Sequence, residues 1–139
     1  MDIRRKQKAI VEALEDIKAK DIAVYNVSHL TSLFDRVIIA SADSARQIKA
    51  LSRSVQDKLS ELGERVFGVE GEEVGEWVLV DAGDVIIHIM QPAIRAHYNL
   101  EELWDHPKPR ARRSVRARAA VSSRASVSRA LTAPLGPSG

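Results

Sequence analysis

The sequence predicts an α/β domain in which helices flank a mixed five-stranded sheet, followed by a basic tail. In residues 1–105, segments with apolar side chains at helical spacing alternate with short β-branched segments. After residue 105 there are no aromatic or acidic residues, and Arg, Ser, Ala and Pro dominate. Such a segment buries too little apolar surface to offset its ordering entropy. We therefore expect a folded domain over residues 1–105 and a disordered tail over residues 106–139.

Two amphipathic helices are predicted in the first half of the chain. Residues 3–18 place four apolar side chains on one face, those of Ile3, Ile10, Leu14 and Ile17. The second helix begins at a capping box, in which Ser44 is the cap and Gln47 is expected to reach back to it. It ends at Gly63, where a left-handed cap is expected. Residues after Pro92 return to helix.

The five strands fall in residues 22–27, 34–40 and 65–69 and in two runs on either side of Ala82-Gly83. The second strand is apolar on both faces toward its end, which indicates a central position. The second helix lies between the second and third strands and permits a parallel crossover. The last two strands are joined by a tight turn into an antiparallel hairpin, so the predicted sheet is mixed.

The hairpin presents two different faces. If the two residues after Asp81 are its loop, Asp81 pairs with Asp84 and Trp77 pairs with His88. One face is uniformly apolar and is predicted to join the core: Val78, Val80, Val85, Ile87 and Ile89. The other face is amphipathic: Trp77, Leu79, Asp81, Asp84, Ile86 and His88. A like-charge pair across strands is mildly destabilising, which is a hint that a basic partner meets the two aspartates.

The charge of the chain divides at the same boundary as its composition. The formal net charge is only +2. Residues 1–105 hold all 19 acidic and 13 of the 21 basic residues, a net charge of −6, whereas the tail holds eight basic residues and no acid. The basicity of the chain therefore belongs to the tail. A basic partner is expected for the domain.

Composition excludes several functional classes. Cysteine is absent, which excludes disulfide scaffolds, thiol catalysis and cysteine-based zinc sites. The apolar runs are far shorter than the ~20 residues that span a bilayer. No apolar segment follows the charged N-terminus as it does in a signal peptide. We therefore expect a soluble cytoplasmic protein that does not contact a membrane.

The residues of the domain form no recognisable catalytic group. Asp81 and Asp84 are of a type that shares a divalent metal in nucleotidyl transfer, but no third carboxylate or phosphate-binding loop accompanies them, and turn formation explains both. His88 has no second ligand at metal-binding spacing and is interpreted as a packed or interface histidine. We expect no enzyme activity, no cofactor and no metal.

Trp77 is the strongest candidate for a binding residue. It lies beside Asp81 and Asp84 and next to an acidic loop, Glu70–Glu76. A tryptophan among charges is typical of a hot spot for a protein partner. The alternative interpretation is that Trp77 and Trp104 fill the layer between the sheet and the C-terminal helix.

Six motifs in residues 2–104 occur together in a specific order: Ser32 with Phe34-Asp35, Val37-Ile38-Ile39-Ala40-Ser41, Ser44-x-Arg46-Gln47, Glu70-Gly71, Gly75-x-Trp77-Val78-Leu79-Val80-Asp81-x-Gly83-Asp84-Val85-Ile86-Ile87-His88, and Arg95-x-x-Tyr98-x-Leu100-Glu101-x-Leu103-Trp104. Together they closely resemble the ribosomal silencing factor family (RsfS), also called Iojap-related. The sequence departs from the family at Arg36, where an aromatic residue is usual, and at Ala42, where glycine is common. We recognise no family counterpart for the tail.

The resemblance implies a translational repressor that is not an enzyme. Members of the family bind the large ribosomal subunit through its universal protein fourteen and sterically block association with the small subunit. Their fold is similar to that of nucleotidyltransferases, although the transferase motif is missing from this chain. Carried onto this sequence, the family's recognition residues are Trp77, Asp81, Asp84, His88, Arg95, Tyr98, Leu100 and Trp104.

Two alternative functions stay open at this point. One is a nucleotidyltransferase-like enzyme that uses Asp81 and Asp84, and the other is a ribosome-assembly or RNA-binding module. The tail is either a salt-sensitive contact to ribosomal RNA or a spacer without function. The oligomeric state also stays open, because an exposed amphipathic sheet face permits a homodimer of the free protein that hides Trp77.

Overall fold

The structure, a computed structural model, describes residues 1–105. These residues form four helices and five strands, in the chain order α1 (Ile3–Asp16), β1 (Lys20–Asn26), β2 (Arg36–Ser41), α2 (Ala45–Glu61), β3 (Gly68–Glu70), β4 (Trp77–Asp81), β5 (Val85–Met90), α3 (Pro92–Tyr98) and α4 (Glu101–Asp105). In this part of the chain, no helix is long and apolar enough to cross a membrane.

The described residues divide between two units, Met1–Tyr98 and a second unit that begins at Asn99. The whole sheet and α1 to α3 belong to the first unit, and α4 belongs to the second. The tail that we predict to be disordered, residues 106–139, lies outside the described residues. The boundary at residue 105 therefore stays a prediction.

The five strands form one mixed sheet in the order β1-β2-β5-β4-β3, which confirms the predicted fold class. β2 and β5 are parallel, and the other neighbouring strands are antiparallel. β3 therefore runs in the same direction as β2, and α2 makes the predicted parallel crossover between them. β2 and β3 are not neighbours, however, because β5 and β4 lie between them in the sheet. We attribute the central places of β2 and β5 to their composition, because both strands are buried on both faces.

The core lies between the sheet and the two long helices. It joins the predicted apolar faces of α1 and α2 to the predicted apolar face of the hairpin, and its buried members include Ile10, Leu14, Ile48, Leu51, Val55, Leu59, Val78, Val80, Val85, Ile87 and Ile89. Ile3 and Ile17, at the two ends of the α1 stripe, are only partly buried. Each fully buried aliphatic side chain contributes about 1.5–3 kcal/mol to folding.

The cap of α2 also holds the end of α1. Ser44 Oγ accepts a hydrogen bond from Gln47 N at 3.1 Å, as predicted for the cap. The Gln47 side chain was predicted to reach back to Ser44, whereas its Nε2 donates to the carbonyl oxygen of Ile17 at 3.0 Å. The last carbonyl groups of a helix lack intrahelical partners, so Gln47 satisfies one of them. At the other end of α2, Gly63 has the predicted left-handed conformation, with φ of 74°.

The register of the β4–β5 hairpin differs from the prediction by two residues. The observed pairs are Trp77 with Met90, Leu79 with His88 and Asp81 with Ile86. The predicted pairs of Asp81 with Asp84 and of Trp77 with His88 are therefore wrong. Because side chains alternate with a period of two, a shift of two residues keeps every side chain on its predicted face.

The shift arises because the turn is longer than predicted. Ala82 N donates to Val85 O at 3.0 Å, and Asp81 Oδ1 accepts a hydrogen bond from Gly83 N at 2.9 Å. Both bonds favour a turn that includes Asp84. Asp84 therefore does not face Asp81 across the strands.

Only glycine fits at position 83. Its φ is 88°, a left-handed conformation that side chains disfavour. A Cβ atom added there would also lie 2.8 Å from Cε2 of Phe67. The Phe67 ring therefore packs on the glycine and covers one side of the turn.

We predict that Gly83→Ala lowers the free energy of unfolding by about 2–3 kcal/mol, because it combines backbone strain with a steric clash. Gly63→Ala isolates the strain, since Gly63 also has positive φ but no atom within 4 Å of an added Cβ, and we expect about 1 kcal/mol there. Gly68→Ala, with neither feature, is the control. Urea unfolding measures all three, and equal losses at positions 63 and 83 would contradict the packing of Phe67 on the turn.

Candidate partner-binding site

Four ring side chains form a series that runs from the interior of the first unit to its surface: His88, Trp77, Tyr98 and His97, which we call the aromatic row. Trp77 Nε1 donates to His88 Nδ1 at 3.0 Å. The Trp77 and Tyr98 ring centroids are 4.8 Å apart, and Tyr98 meets His97 edge-on at 4.9 Å. His88 is fully buried, Trp77 is partly buried, and Tyr98 is 48% exposed. A partner can therefore reach the outer end of the row and not its inner end.

The hairpin explains why Trp77 and His88 meet. They lie on neighbouring strands on the same face of the sheet, and His88 is opposite Leu79, two residues beyond Trp77. Such diagonal neighbours are within reach of aromatic side chains. The predicted contact between Trp77 and His88 is thus present, although the predicted register is wrong.

Burial sets the protonation state of His88. Desolvation lowers the pKa of this imidazole from 6.5 to about 3, so the ring is neutral near pH 7. Nδ1 accepts the indole N–H, and the proton of the neutral ring is therefore on Nε2. Among residues 1–105, Nε2 of His88 is a buried nitrogen for which no hydrogen-bond partner is found.

A buried lysine fixes the β4–β5 turn to the first helix. Lys6 Nζ donates to Asp84 Oδ1 at 2.7 Å and to the carbonyl oxygen of Ala82 at 2.8 Å, and it lies 3.1 Å from Glu64 Oε1. An ammonium group has three N–H donors, and these three oxygens match them. Only 4% of Lys6 is exposed. We call Lys6, Glu64, Ala82 and Asp84 the turn network.

Lys6 was missed by sequence reasoning, although a signal for it existed. It lies three residues after Ile3 and four before Ile10, on the apolar stripe of α1. A charged residue on a buried stripe requires partners of opposite charge or carbonyl groups. Those partners are 58 to 78 residues away in sequence, so the pattern indicated the need for them but not their identity.

The hydrogen bonds of the two aspartates fit the predicted role in the turn. Asp81 Oδ1 accepts from Gly83 N, and Asp84 Oδ1 accepts from Lys6 Nζ. Over residues 1–105, no three His, Asp or Glu side chains are placed to hold a metal ion. Of the two interpretations given above, the structure supports the role in the turn. The side chain of Asp84 is nevertheless 43% exposed, which leaves part of its carboxylate at the surface.

Arg95 connects α3 to the sheet. Its Nη1 donates to the carbonyl oxygen of Asp21 at 2.7 Å and to Ser41 Oγ at 2.9 Å. Asp21 has a left-handed φ of 51° in an irregular part of β1, and this turns the chain locally. α3 has no buried residue, so polar bonds such as these contribute strongly to its position.

Hydrogen bonds from α2 fix the acidic loop between β3 and β4. Glu72 Oε2 accepts from Ser52 Oγ at 2.8 Å and from Gln56 Nε2 at 3.0 Å. Ser52 is fully buried on the apolar face of α2. Glu73 and Glu76 are exposed, so the loop presents negative charge at a defined place. This bond set was not predicted from the sequence.

The eight residues carried over from the resemblance therefore fall into separate groups. Trp77 contacts both His88 and Tyr98. Asp81 and Asp84 flank the β4–β5 turn, and Arg95 belongs to α3 and binds β1 and β2. Leu100 and Trp104 belong to the second unit and are both buried, at 4% and 8% exposed. Within that unit, Leu103 N donates to the carbonyl oxygen of Leu100 at 3.0 Å.

Comparison with known proteins gives one consistent result. A family model described as "Ribosomal silencing factor during starvation" matches residues 1–133. The match includes most of the tail, for which we recognised no counterpart in the sequence. It therefore extends beyond the residues that carry the resemblance.

Individual relatives agree with the family match. The ribosomal silencing factor RsfS of Chromobacterium violaceum is 57% identical over 109 residues, which cover 78% of this chain and 89% of the relative. The chloroplastic protein Iojap of Zea mays is 38% identical over 73% of this chain and 44% of its own length. A crystal structure of a Chromobacterium violaceum protein, 56% identical, has a TM-score of 0.75 and covers 79% of this chain and 92% of that chain.

We predict that Lys6→Met lowers the free energy of unfolding by about 2 kcal/mol. The substitution leaves Ala82 O without a donor and leaves Glu64 and Asp84 without their shared cation, and partial exposure of Asp84 reduces the loss below that of a fully buried pair. Lys20→Met removes the exposed pair with Asp43, and we expect less than about 1 kcal/mol there. Urea unfolding of both variants is the measurement, and similar losses would contradict the role of Lys6.

We predict that His88 makes the protein sensitive to acid. The unfolded chain binds a proton on His88 below pH 6.5, whereas the folded chain does so only near pH 3. This contribution is constant above pH 6.5, and as the pH falls from 6.5 toward 3 it lowers the free energy of unfolding by about 1.4 kcal/mol per pH unit. In urea unfolding from pH 7.5 to 4, His88→Asn should show a smaller slope than the wild type. Equal slopes in His88→Asn and in the wild type would overturn the prediction.

Proposed function

This chain belongs to the ribosomal silencing factor family, and we propose that it represses translation by binding the large ribosomal subunit and sterically blocking its association with the small subunit. The family and its relatives are named ribosomal silencing factors, and we propose from this name a ribosome-associated regulator of translation that acts without enzyme chemistry. Within the large subunit, we propose universal protein fourteen as the direct partner. The cytoplasm is the proposed place of action.

The outer end of the aromatic row is the observation that carries the proposed binding mode. Tyr98 exposes about half of its surface and packs on Trp77, whose indole is anchored to the buried His88. Hot spots of protein interfaces are enriched in such aromatic side chains, which bury a large area on binding and lose little conformational freedom. The anchored pair supports a role as the centre of a protein interface.

The charge of the domain supports a basic partner. Residues 1–105 carry a net charge of −6, and Glu73, Glu76 and part of Asp84 are exposed. Complementary charge raises the rate of association and disfavours wrong partners. A ribosomal protein of the large subunit fits this requirement, since ribosomal proteins are commonly basic.

To block subunit joining sterically, the protein only has to occupy its site on the large subunit, and no chemical reaction is required. A domain bound on the face of the large subunit that meets the small subunit occupies space needed for joining. The blocked fraction then depends on the concentration of the protein relative to its dissociation constant. The effect should saturate with dose and reverse on dilution.

The candidate residues divide into direct and supporting roles in this proposal. Trp77, Tyr98 and Asp84 are proposed to contact the partner. His88, Leu100 and Trp104 are buried, and the polar groups of Asp81 and Arg95 bind within the chain. Asp81, His88 and Arg95 are proposed to maintain the shape of the surface, and Leu100 and Trp104 are proposed to stabilise the second unit. The free protein is proposed to dimerise through the same exposed aromatic pair.

The basic tail is proposed to contact ribosomal RNA near the protein partner. Its eight basic residues and lack of acid predict a nonspecific attraction to phosphate that weakens steeply with salt. A chain that ends at residue 105 should therefore retain specific binding to the large subunit and show a weaker salt dependence. Loss of all binding on truncation would favour the alternative of an RNA-binding module.

We predict that Trp77→Ala and Asp84→Lys each weaken binding to purified large subunits by more than ~1 kcal/mol, or about fivefold. Both variants should also restore subunit joining at a dose at which the wild type blocks it. Co-sedimentation and a subunit-association assay measure these two effects.

Two exposed positions provide the matched controls. Leu33→Ala truncates an exposed apolar side chain, and Asp57→Lys makes the same charge reversal on α2. Both should bind as the wild type does. If saturating wild-type protein leaves large subunits free to join small ones, the proposed function is wrong.

A further inference from the structure

We propose that His88 is a positioning residue for partner binding: it fixes the orientation of the Trp77 indole and, through that ring, the orientation of Tyr98. This role presupposes the proposed function, because it concerns binding at the same surface. It assigns His88 an indirect effect, in which the imidazole acts on the partner through two other side chains.

The burial of His88 requires an indirect role. No part of the side chain is exposed, so it cannot touch a partner bound at the surface. Its Nδ1 accepts the Trp77 indole N–H at 3.0 Å, which is a normal hydrogen-bond distance. The indole has a single donor, and that donor has a fixed direction in the plane of the ring. Binding it to an atom of the central strand β5 therefore restricts the orientation of the whole ring.

The polar chemistry of His88 costs stability at this place. Among residues 1–105, Nε2 has no hydrogen-bond partner, and the bond from Trp77 to Nδ1 places a proton on that nitrogen. A buried donor without a partner is destabilising, and an aliphatic side chain would avoid this cost on a strand whose residues are all buried. A polar residue at a position where the pattern favours an apolar one is expected at functional sites.

Tyr98 depends on Trp77 for its position. The two rings are 4.8 Å apart and inclined by 50°, a favourable geometry for an aromatic pair. α3, which carries Tyr98, contributes no buried side chain. If the indole changes orientation, few other packing contacts hold Tyr98 in place. We therefore expect Tyr98 to move with the indole.

Three substitutions separate the hydrogen bond from the burial of the imidazole. His88→Leu keeps an apolar side chain of similar size and removes the acceptor. His88→Asn keeps an acceptor oxygen near the position of Nδ1. Trp77→Phe keeps an aromatic ring and removes the donor. Each substitution is made in the full-length chain, and both His88 changes are also made in the Trp77→Phe background.

Two readouts follow these variants. One is affinity for purified large ribosomal subunits. The other is the indole N–H resonance of Trp77 in nitrogen–proton NMR spectra, assigned by its disappearance in Trp77→Phe. Thermal unfolding of each variant verifies that the chain is folded.

His88→Leu should weaken binding by about three- to tenfold, which corresponds to one hydrogen bond, while its melting temperature stays unchanged or rises. The same variant should shift the indole resonance upfield and speed its exchange with solvent. His88→Asn should restore most of the affinity and of the resonance position. In the Trp77→Phe background, His88→Leu should have no further effect, because the donor is already absent.

Two results would overturn the positioning role. One is an equal loss of affinity from His88→Leu with and without the Trp77 donor, which would make His88 a general packing residue. The other is unchanged affinity when the indole resonance has moved. If the wild-type chain does not bind large subunits, the proposed function fails, and an indole resonance that is unchanged in His88→Leu would separately show that His88 does not orient Trp77.

Discussion

The parallel pairing of β2 with β5 is the constraint on which the rest of the domain depends. Both strands are buried on both faces and occupy the centre of the sheet. Because β2 and β5 are adjacent, the connection through α2 has to pass over β5 and β4 before the chain enters β3 at the far edge of the sheet. The hairpin partner of β5, β4, then presents Trp77 at its beginning and the turn at its end. A polar side chain on β5, such as His88, has no access to solvent and has to be neutral and hydrogen-bonded.

Two polar side chains at apolar positions connect this interior to the surface. Lys6 lies on the buried stripe of α1 and binds the β4–β5 turn, whereas His88 lies on β5 and binds the indole of Trp77. Each replaces an apolar residue that the local pattern favours, and each bonds to a group that reaches the surface. In the proposed function, these two bonds maintain the shape of the binding surface, while the exposed acidic groups attract a basic partner.

The elements and their faces could be predicted from the sequence because periodicity is a local property. The hairpin register could not be predicted, since it depends on two hydrogen bonds inside the turn, donated by Ala82 N and Gly83 N. The partners of Lys6 could not be predicted for another reason: they are distant in sequence, and only the folded sheet brings them together. The contact between Trp77 and His88 was predicted from an incorrect register and survives because a shift of two residues preserves the face. Arg95 shows that a residue carried over from the family as a recognition residue can have a structural role, since its side chain binds Asp21 and Ser41 within the chain.

The central claim is that the exposed end of the aromatic row contacts a protein of the large subunit. A photo-reactive benzophenone side chain in place of Tyr98, in the full-length chain, tests it directly when the protein is irradiated on large subunits and the cross-linked product is identified by mass spectrometry. The same probe at Leu33, an exposed position outside the row, is the control. We predict a cross-link from position 98 to universal protein fourteen that the control does not form. Cross-links from position 98 only to ribosomal RNA, or the same products from both positions, would contradict the account.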